Sequence, residues 1–241
     1  MTDLLYMQDN YIQEFDAKII EMTDESLILN QTAFYPEGGG QIGDIGQIER
    51  NSKILTITGT AKREGKVHHF FEGNSPFSVG DVIHGKLDWK QRYECMRFHT
   101  AQHVLSRYLQ LNYNAETVGN HIGYGESRAD YSPLDAFDDE MKNDVQNGVN
   151  EILKRNLEVR LEFMPREEAI SFLNSKGYQV RYLEMVPESV KIFRIISVDD
   201  YDAASCAGTH VRNTSEIGEI RLGKTKNVGS GKRRLYFSLS I

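Results

Sequence analysis

The sequence predicts an α+β protein: a small N-terminal β-barrel over residues 1–88, then a two-layer α/β domain over residues 89–241 in which helices, one of them long, cover an antiparallel sheet. Three observations lead there. Residues 11–88 break into short apolar runs separated by Asp, Asn and Gly. Residues 89–111 contain neither Gly nor Pro and carry Tyr93, Met96, Val104, Leu105, Tyr108 and Leu109 at helical spacings. The rest alternates strand-like runs with two shorter helical stretches.

Taken in order, the first strands are expected at residues 18–22, 26–29, 54–58 and 82–87, and such close spacing suggests a barrel. Gly38, Gly39 and Gly40 lie between them, and without Cβ atoms their backbone N–H groups could face a substrate or the other domain. No Gly-Lys-Ser or Gly-Lys-Thr follows, so this is not a phosphate loop of the familiar type. After the long helix, residues 116–122 and 127–131 read as a hairpin around Gly123-Tyr124-Gly125. A charged helix is expected over 135–155 despite Gly148, then a strand over 158–163 and a short helix over 166–174 opened by Pro165. Strands at 180–184, 190–198, 217–225 and 234–241 complete the sheet.

At 241 residues and 39% hydrophobic, the chain can form one large or two modest domains. Its two cysteines, Cys95 and Cys206, are too few for a disulfide framework, and no apolar run approaches the roughly 20 residues of a membrane span. With no leader-like segment ahead of Tyr11, the expected compartment is the cytoplasm, with no membrane partner. A net charge of −7 argues against nucleic acid, but its distribution is uneven. Acids collect in the N-terminal segment and over 135–144, whereas Arg212, Arg221, Lys224, Lys226, Lys232, Arg233 and Arg234 crowd the end. By pattern alone that crowding reads as a solvated face.

The chemistry centres on His99-Thr100-Ala101-Gln102-His103. On a helix, positions i and i+4 share a face, so both imidazoles point into one small volume. Cys206-Ala207-Gly208-Thr209-His210 repeats the spacing downstream, and a borderline-soft ion such as zinc accepts this mixture of thiolate and imidazole. Together the pairs could complete one tetrahedron. Cys95, four residues before His99, is a rival ligand on spacing alone. A zincin protease would need Glu directly after the first His, where Thr100 stands.

The run from Asp88-Trp89 through Arg97-Phe98-His99-Thr100-Ala101-Gln102-His103-Val104-Leu105, with Ser205-Cys206-Ala207-Gly208-Thr209-His210-Val211 and the upstream Phe34-Tyr35-Pro36-Glu37-Gly38-Gly39-Gly40-Gln41-Ile42-Gly43-Asp44, resembles the editing domain of alanyl-tRNA synthetase. It is still more similar to the free-standing AlaX editing proteins. The resemblance implies a β-barrel ahead of a catalytic domain, one zinc ion per chain on His99, His103, Cys206 and His210, and hydrolysis of mischarged tRNA(Ala), carrying serine or else glycine. It implies an RNA contact for Lys224, Lys226, Lys232, Arg233 and Arg234. Thr100, Gln102, Asn120 and Thr209, with Gly38, Gly39 and Gly40, become candidates for holding the substrate; Gln102 stands where the family often has a smaller residue. The threonyl-tRNA synthetase editing domain is also similar, which leaves metal-free acid-base chemistry by His and Cys open. Two other readings remain: an RNA- or synthetase-binding module with a structural zinc, and a zinc-dependent hydrolase of a small ester or amide. Monomer and homodimer are equally compatible with the sequence.

Overall fold

The structure, a computed structural model, describes residues 2–178, 180, 183 and 186–240. The chain divides into two compact units, Met1–Met96 and Arg97–Ile241. Among the described residues the first holds nine strands: β1 (Asp3–Leu4), β2 (Glu14–Met22), β3 (Ser26–Leu29), β4 (Gln31–Thr32), β5 (Gly46–Arg50), β6 (Lys53–Ile57), β7 (Gly59–Arg63), β8 (Lys66–Phe70) and β9 (Val82–Leu87). Helix α1 (Trp89–Tyr113) follows, and the boundary falls within it. The second unit continues with β10 (Glu116–His121), β11 (Ser127–Ser132), α2 (Asp139–Leu153), β12 (Val159–Pro165), α3 (Arg166–Ser175), β13 (Ile192–Val198), β14 (Asp202–Ser205), β15 (Glu219–Gly229) and β16 (Lys232–Ser240). The architecture is α+β with mostly antiparallel sheets, the short β1–β4 pair being parallel.

In the first unit, seven strands pair in the order β6-β5-β9-β2-β3-β8-β7. The expected closed barrel is not formed. The edge strands β6 and β7 follow one another through Thr58 alone, so the chain runs on from one into the other and leaves no turn that could lay them side by side. The alternation of β2, exposed at Glu14, Asp16 and Lys18 and buried at Phe15, Ala17 and Ile19, puts its apolar side against Leu27, Leu29, Ile48 and Ile83. Strands β5, β7 and β8 were not expected from the sequence. Their polar residues, such as Glu49, Lys62 and His68, alternate with the buried Ile48, Val67 and His69 too briefly to register as apolar runs.

The glycine-rich segment folds for local reasons. Gly38 and Gln41 exchange backbone hydrogen bonds of 3.1 and 3.0 Å, and the tight turn between them needs positive φ at Gly39 (57°) and Gly40 (84°). Asp44 just beyond is 2% exposed and pairs with Arg92, which is fully buried. The same guanidinium also donates to the Asn10 carbonyl at 3.0 Å and to the Ala33 carbonyl, tying three chain segments to the first turn of α1.

In the second unit, β10-β11-β16-β15 form one sheet and β12-β13-β14 another. Helix α2 starts four residues later than expected because Asp138 caps it, its carboxylate accepting from the Met141 N–H at 2.9 Å. Gly148 inside α2 is explained by packing: a Cβ there would lie 2.3 Å from the Tyr108 ring. Pro165 ends β12 and stands as the N-cap of α3. The strand expected over 180–184 lies largely outside the described residues. Among the described residues, no helix is long and apolar enough to cross a membrane.

His69 gives the first unit a pH response. It is fully buried; its Nδ1 donates to the Leu27 carbonyl (3.2 Å), and its Nε2 accepts from the Thr32 hydroxyl (2.8 Å). Burial, only partly opposed by the Leu27 bond, pushes its pKa down to about 4 from 6.5. The unfolded chain therefore takes up a proton that the folded chain refuses. Stability present above pH 6.5 should fall by up to about 3 kcal/mol as the pH drops through about 4. Urea unfolding across that range, compared with His69→Gln, measures it; the variant should show a flatter dependence.

Candidate metal centre

The second unit brings His99, His103, Cys206 and His210 together, with one potential ligand atom from each lying within 4.8 Å of all the others. Helix α1 supplies the first two one turn apart, their ring centroids separated by 5.6 Å. The hairpin of β13 and β14 delivers the other two on the loop that follows Ser205. His210 stands 4.4 Å from His99 and 4.9 Å from His103, centroid to centroid. The Cys206 Sγ lies 3.5 Å from His99 Nε2 and 3.3 Å from His210 Nε2. All three imidazoles are buried, whereas Cys206 is partly exposed.

The surroundings fix which nitrogen faces the centre. His103 Nδ1 lies 3.1 Å from Asp202 Oδ2, and His210 Nδ1 lies 3.2 Å from Thr100 Oγ1, so in the tautomers these contacts favour both rings turn Nε2 inward. Thr100 Oγ1 also accepts from the Val211 N–H at 3.3 Å. Arg194, 5% exposed, donates to the carbonyls of Cys206 (2.7 Å) and Gly208 (2.9 Å), holding the loop by its backbone. Gly208 returns an N–H to the Cys206 sulfur at 3.4 Å.

The electrostatics suit a cation. Burial would raise the Cys206 pKa, but His99 and His210 outweigh it and hold the thiol well below its usual value. Burial pushes His210 well down. Burial also works against protonating His103, yet its bonds to Asp202 and Cys206 carry it up to about 10. The group thus favours positive charge at His103, and a metal ion could take the place of its proton. Cys95, the rival ligand, is buried outside this group with its pKa raised to about 12 by burial, an inert thiol.

Two family profiles match the chain: tRNA synthetases class II (A) over residues 5–91, and threonyl and alanyl tRNA synthetase second additional domain over residues 193–236. The alanyl-tRNA editing protein AlaX-M of Saccharolobus solfataricus is 32% identical over 241 residues, covering 99% of each chain. The chain belongs to the AlaX-M family of alanyl-tRNA editing proteins. The AlaX-M protein of Methanosarcina mazei is 34% identical, over 99% of this chain and 97% of its own. The alanine–tRNA ligase of Pyrococcus furiosus is 32% identical over 98% of this chain, which spans 26% of that ligase. Of the cluster, Cys206 and His210 lie inside the second matched segment, and His99 and His103 outside both.

The other candidate residues divide. Gln102, 6% exposed, donates from Nε2 to Ser106 Oγ (2.6 Å) and accepts from Asn120 Nδ2 (3.3 Å), within a network that includes Thr117 and Tyr131 through Ser106. Thr100 and Thr209 are fully buried. Gly38, Gly39 and Gly40 belong to the turn of the first unit. Lys224, Lys226, Lys232, Arg233 and Arg234 stand on β15 and β16, apart from the metal cluster, with Arg234 paired to Asp130 at 2.7 and 2.8 Å and Arg233 donating to the Asp135 carbonyl. Sequence reading missed Asp202, hidden in the acidic run Asp199-Asp200-Tyr201-Asp202. It also missed Arg194, whose signal was a lone cation inside the apolar Ile192-Phe193-Arg194-Ile195.

Asp202→Asn keeps an acceptor for His103 but removes its charge. Metal affinity, read by competition with a chromophoric chelator, should fall about ten- to a hundredfold while the metal-free fold is retained.

Proposed function

We propose that the protein is a trans-acting editing hydrolase that removes serine, with glycine as the second candidate, from mischarged tRNA(Ala) by cleaving the aminoacyl ester at a zinc site of His99, His103, Cys206 and His210. The observation that carries this reading is the convergence of those four side chains in a chain whose full-length relatives are named alanyl-tRNA editing proteins. Zinc is supported by the donor set. Ligand bonds of about 2.0–2.3 Å imply tetrahedral edges of about 3.3–3.6 Å, and the sulfur already lies 3.5 and 3.3 Å from two imidazole nitrogens. When bound, zinc would lower the pKa of water and polarise the ester carbonyl. Of the four residues only Cys206 is not fully buried, which supports an approach from solvent on its side.

The chain's own residues supply orientation and selectivity. Asp202 and Thr100 hold two imidazoles in one tautomer, and Arg194 holds the loop. Gln102 and Asn120 offer a polar wall one turn along α1 from His99; a serine hydroxyl can pair there, whereas the methyl of alanine leaves an amide short of a partner. A closed set of four protein ligands also favours a second reading, a structural zinc in an RNA- or synthetase-binding module. Turnover separates the two, and dependence on RNA separates editing from hydrolysis of a small ester or amide.

Metal analysis of purified protein together with deacylation of seryl- and alanyl-tRNA(Ala) tests cofactor and substrate at once. Zinc should copurify at about one ion per chain. Cys206→Ala or His103→Ala should lower metal affinity and seryl-tRNA deacylation about a hundredfold or more. Full zinc in every ligand variant would reject the site, and turnover by metal-free protein would hand the chemistry to His and Cys alone.

Gln102→Ala should leave zinc in place and narrow the ratio of seryl to alanyl hydrolysis by about five- to a hundredfold, the cost of one unpaired polar group. Equal loss on both substrates would make Gln102 a support for Ser106 and Asn120 instead.

A further inference from the structure

We infer that the outer face of the four-stranded sheet in the second unit is a docking surface for the phosphodiester backbone of RNA, at a place separate from the metal cluster; this rests on the RNA substrate proposed above. Strand register defines the face. One row across the sheet runs His121, Arg128, Tyr236, with Gly223 and Lys224 in the bulge opposite; the next runs Gly119, Asp130, Arg234, Lys226. The alternate positions Ala129, Tyr131, Leu235 and Phe237 are buried on the other side, where Phe237 packs on Phe98 of α1 and the Tyr131 hydroxyl reaches Ser106. The inner side thus faces the helix that carries the histidines, and the outer side looks away from it. Helix α2 does not cover the outer face: Gln146 and Asn150 bond to the backbone of Leu222 and Ile220 along the edge of β15.

The same register sorts the cations. Arg233 belongs to the inner set, opposite Tyr131, and Arg234 is neutralised by its two-pronged pair with Asp130. Lys224 and Lys226 instead converge on the Tyr236 ring, their ammonium groups 4.3 and 5.8 Å from its centroid, and Arg128 lies directly across from that tyrosine. The pair of Lys224 with Glu126 is 3.7 Å long between side chains more than half exposed, too weak to cancel the charge. A chain with a net charge of −7 therefore concentrates cations around one ring. Repulsion among such cations is relieved by a ligand with closely spaced negative charges and a flat group to lie against the ring, as a nucleic acid has.

The test is binding of uncharged transfer RNA to the full chain by fluorescence anisotropy across a salt series. The variant Arg128→Ala/Lys224→Ala/Lys226→Ala should bind about tenfold or more weakly near 0.1 M salt, with the slope of log affinity against log salt shallower by about two. The charge-retaining Arg128→Lys/Lys224→Arg/Lys226→Arg should stay within about twofold of the parent, as should Lys142→Ala/Lys154→Ala/Arg155→Ala, which removes as much charge elsewhere. Unchanged affinity in the first variant, or equal loss in the last, overturns the assignment. So would intact RNA binding with lost adhesion to phosphatidylserine vesicles, which would make the face a membrane contact. Uncharged RNA needs no hydrolysis to bind, so this failure leaves deacylation standing, and loss of deacylation leaves this result standing.

Discussion

Four electron pairs directed at one buried point repel each other, and the second unit is arranged to hold them there. Helix α1 fixes two and the loop after β14 fixes two, while Thr100 and Asp202 hold the outer nitrogens of His210 and His103 and Arg194 holds the Cys206 carbonyl. A positive charge at the centre removes the repulsion. The depressed thiol of Cys206 and the raised imidazole of His103 are what the same geometry produces when a proton is the only cation on offer. Charge balance, tautomer choice and loop conformation are therefore one problem solved together.

How much of this could be read from the residues follows from how local each signal is. The His99/His103 pair was legible because helical spacing is a short-range rule, and the Cys206/His210 pair because its small neighbours mark a close approach. Asp202 and Arg194 were not, since their partners lie 99 and 12 to 14 residues away and their own surroundings look like an acidic loop and an apolar strand. The long helix, the β10–β11 hairpin and strands β3 and β9 matched their expected spans closely because Gly, Asn and Asp punctuate them. The barrel did not form as a closed ring, because closure depends on which strands pair across the sheet and adjacent β6 and β7 continue each other. Arg233 and Arg234 are neighbours in sequence but point to opposite sides of β16, a distinction that rests wholly on register.

The network around Gln102 shows a further division of labour. Its amide is held at both ends, by Ser106 and by Asn120, so its orientation is fixed by the protein itself. Ser106 joins Gln102, Thr117 and Tyr131, which makes the polar wall a product of α1 and the adjoining sheet rather than of one side chain. A substitution at Thr117 or Tyr131 would reach Gln102 through that hydroxyl.

Helix α1 also acts as a ruler. Each residue added to an α-helix turns everything beyond it by about 100°, so a single insertion between His99 and His103 would swing one imidazole off the face that the other occupies. Thr100 tightens the constraint, since its hydroxyl touches His210 and the Val211 backbone and so sets the helix in phase with the loop. Length changes should accordingly be excluded from this turn of the helix and be tolerated better where the backbone has no phase to keep, such as the exposed bend at Tyr124 to Glu126 or the tip joining β15 to β16. Helical pitch thus fixes the count of residues between the two histidines independently of what the intervening side chains are.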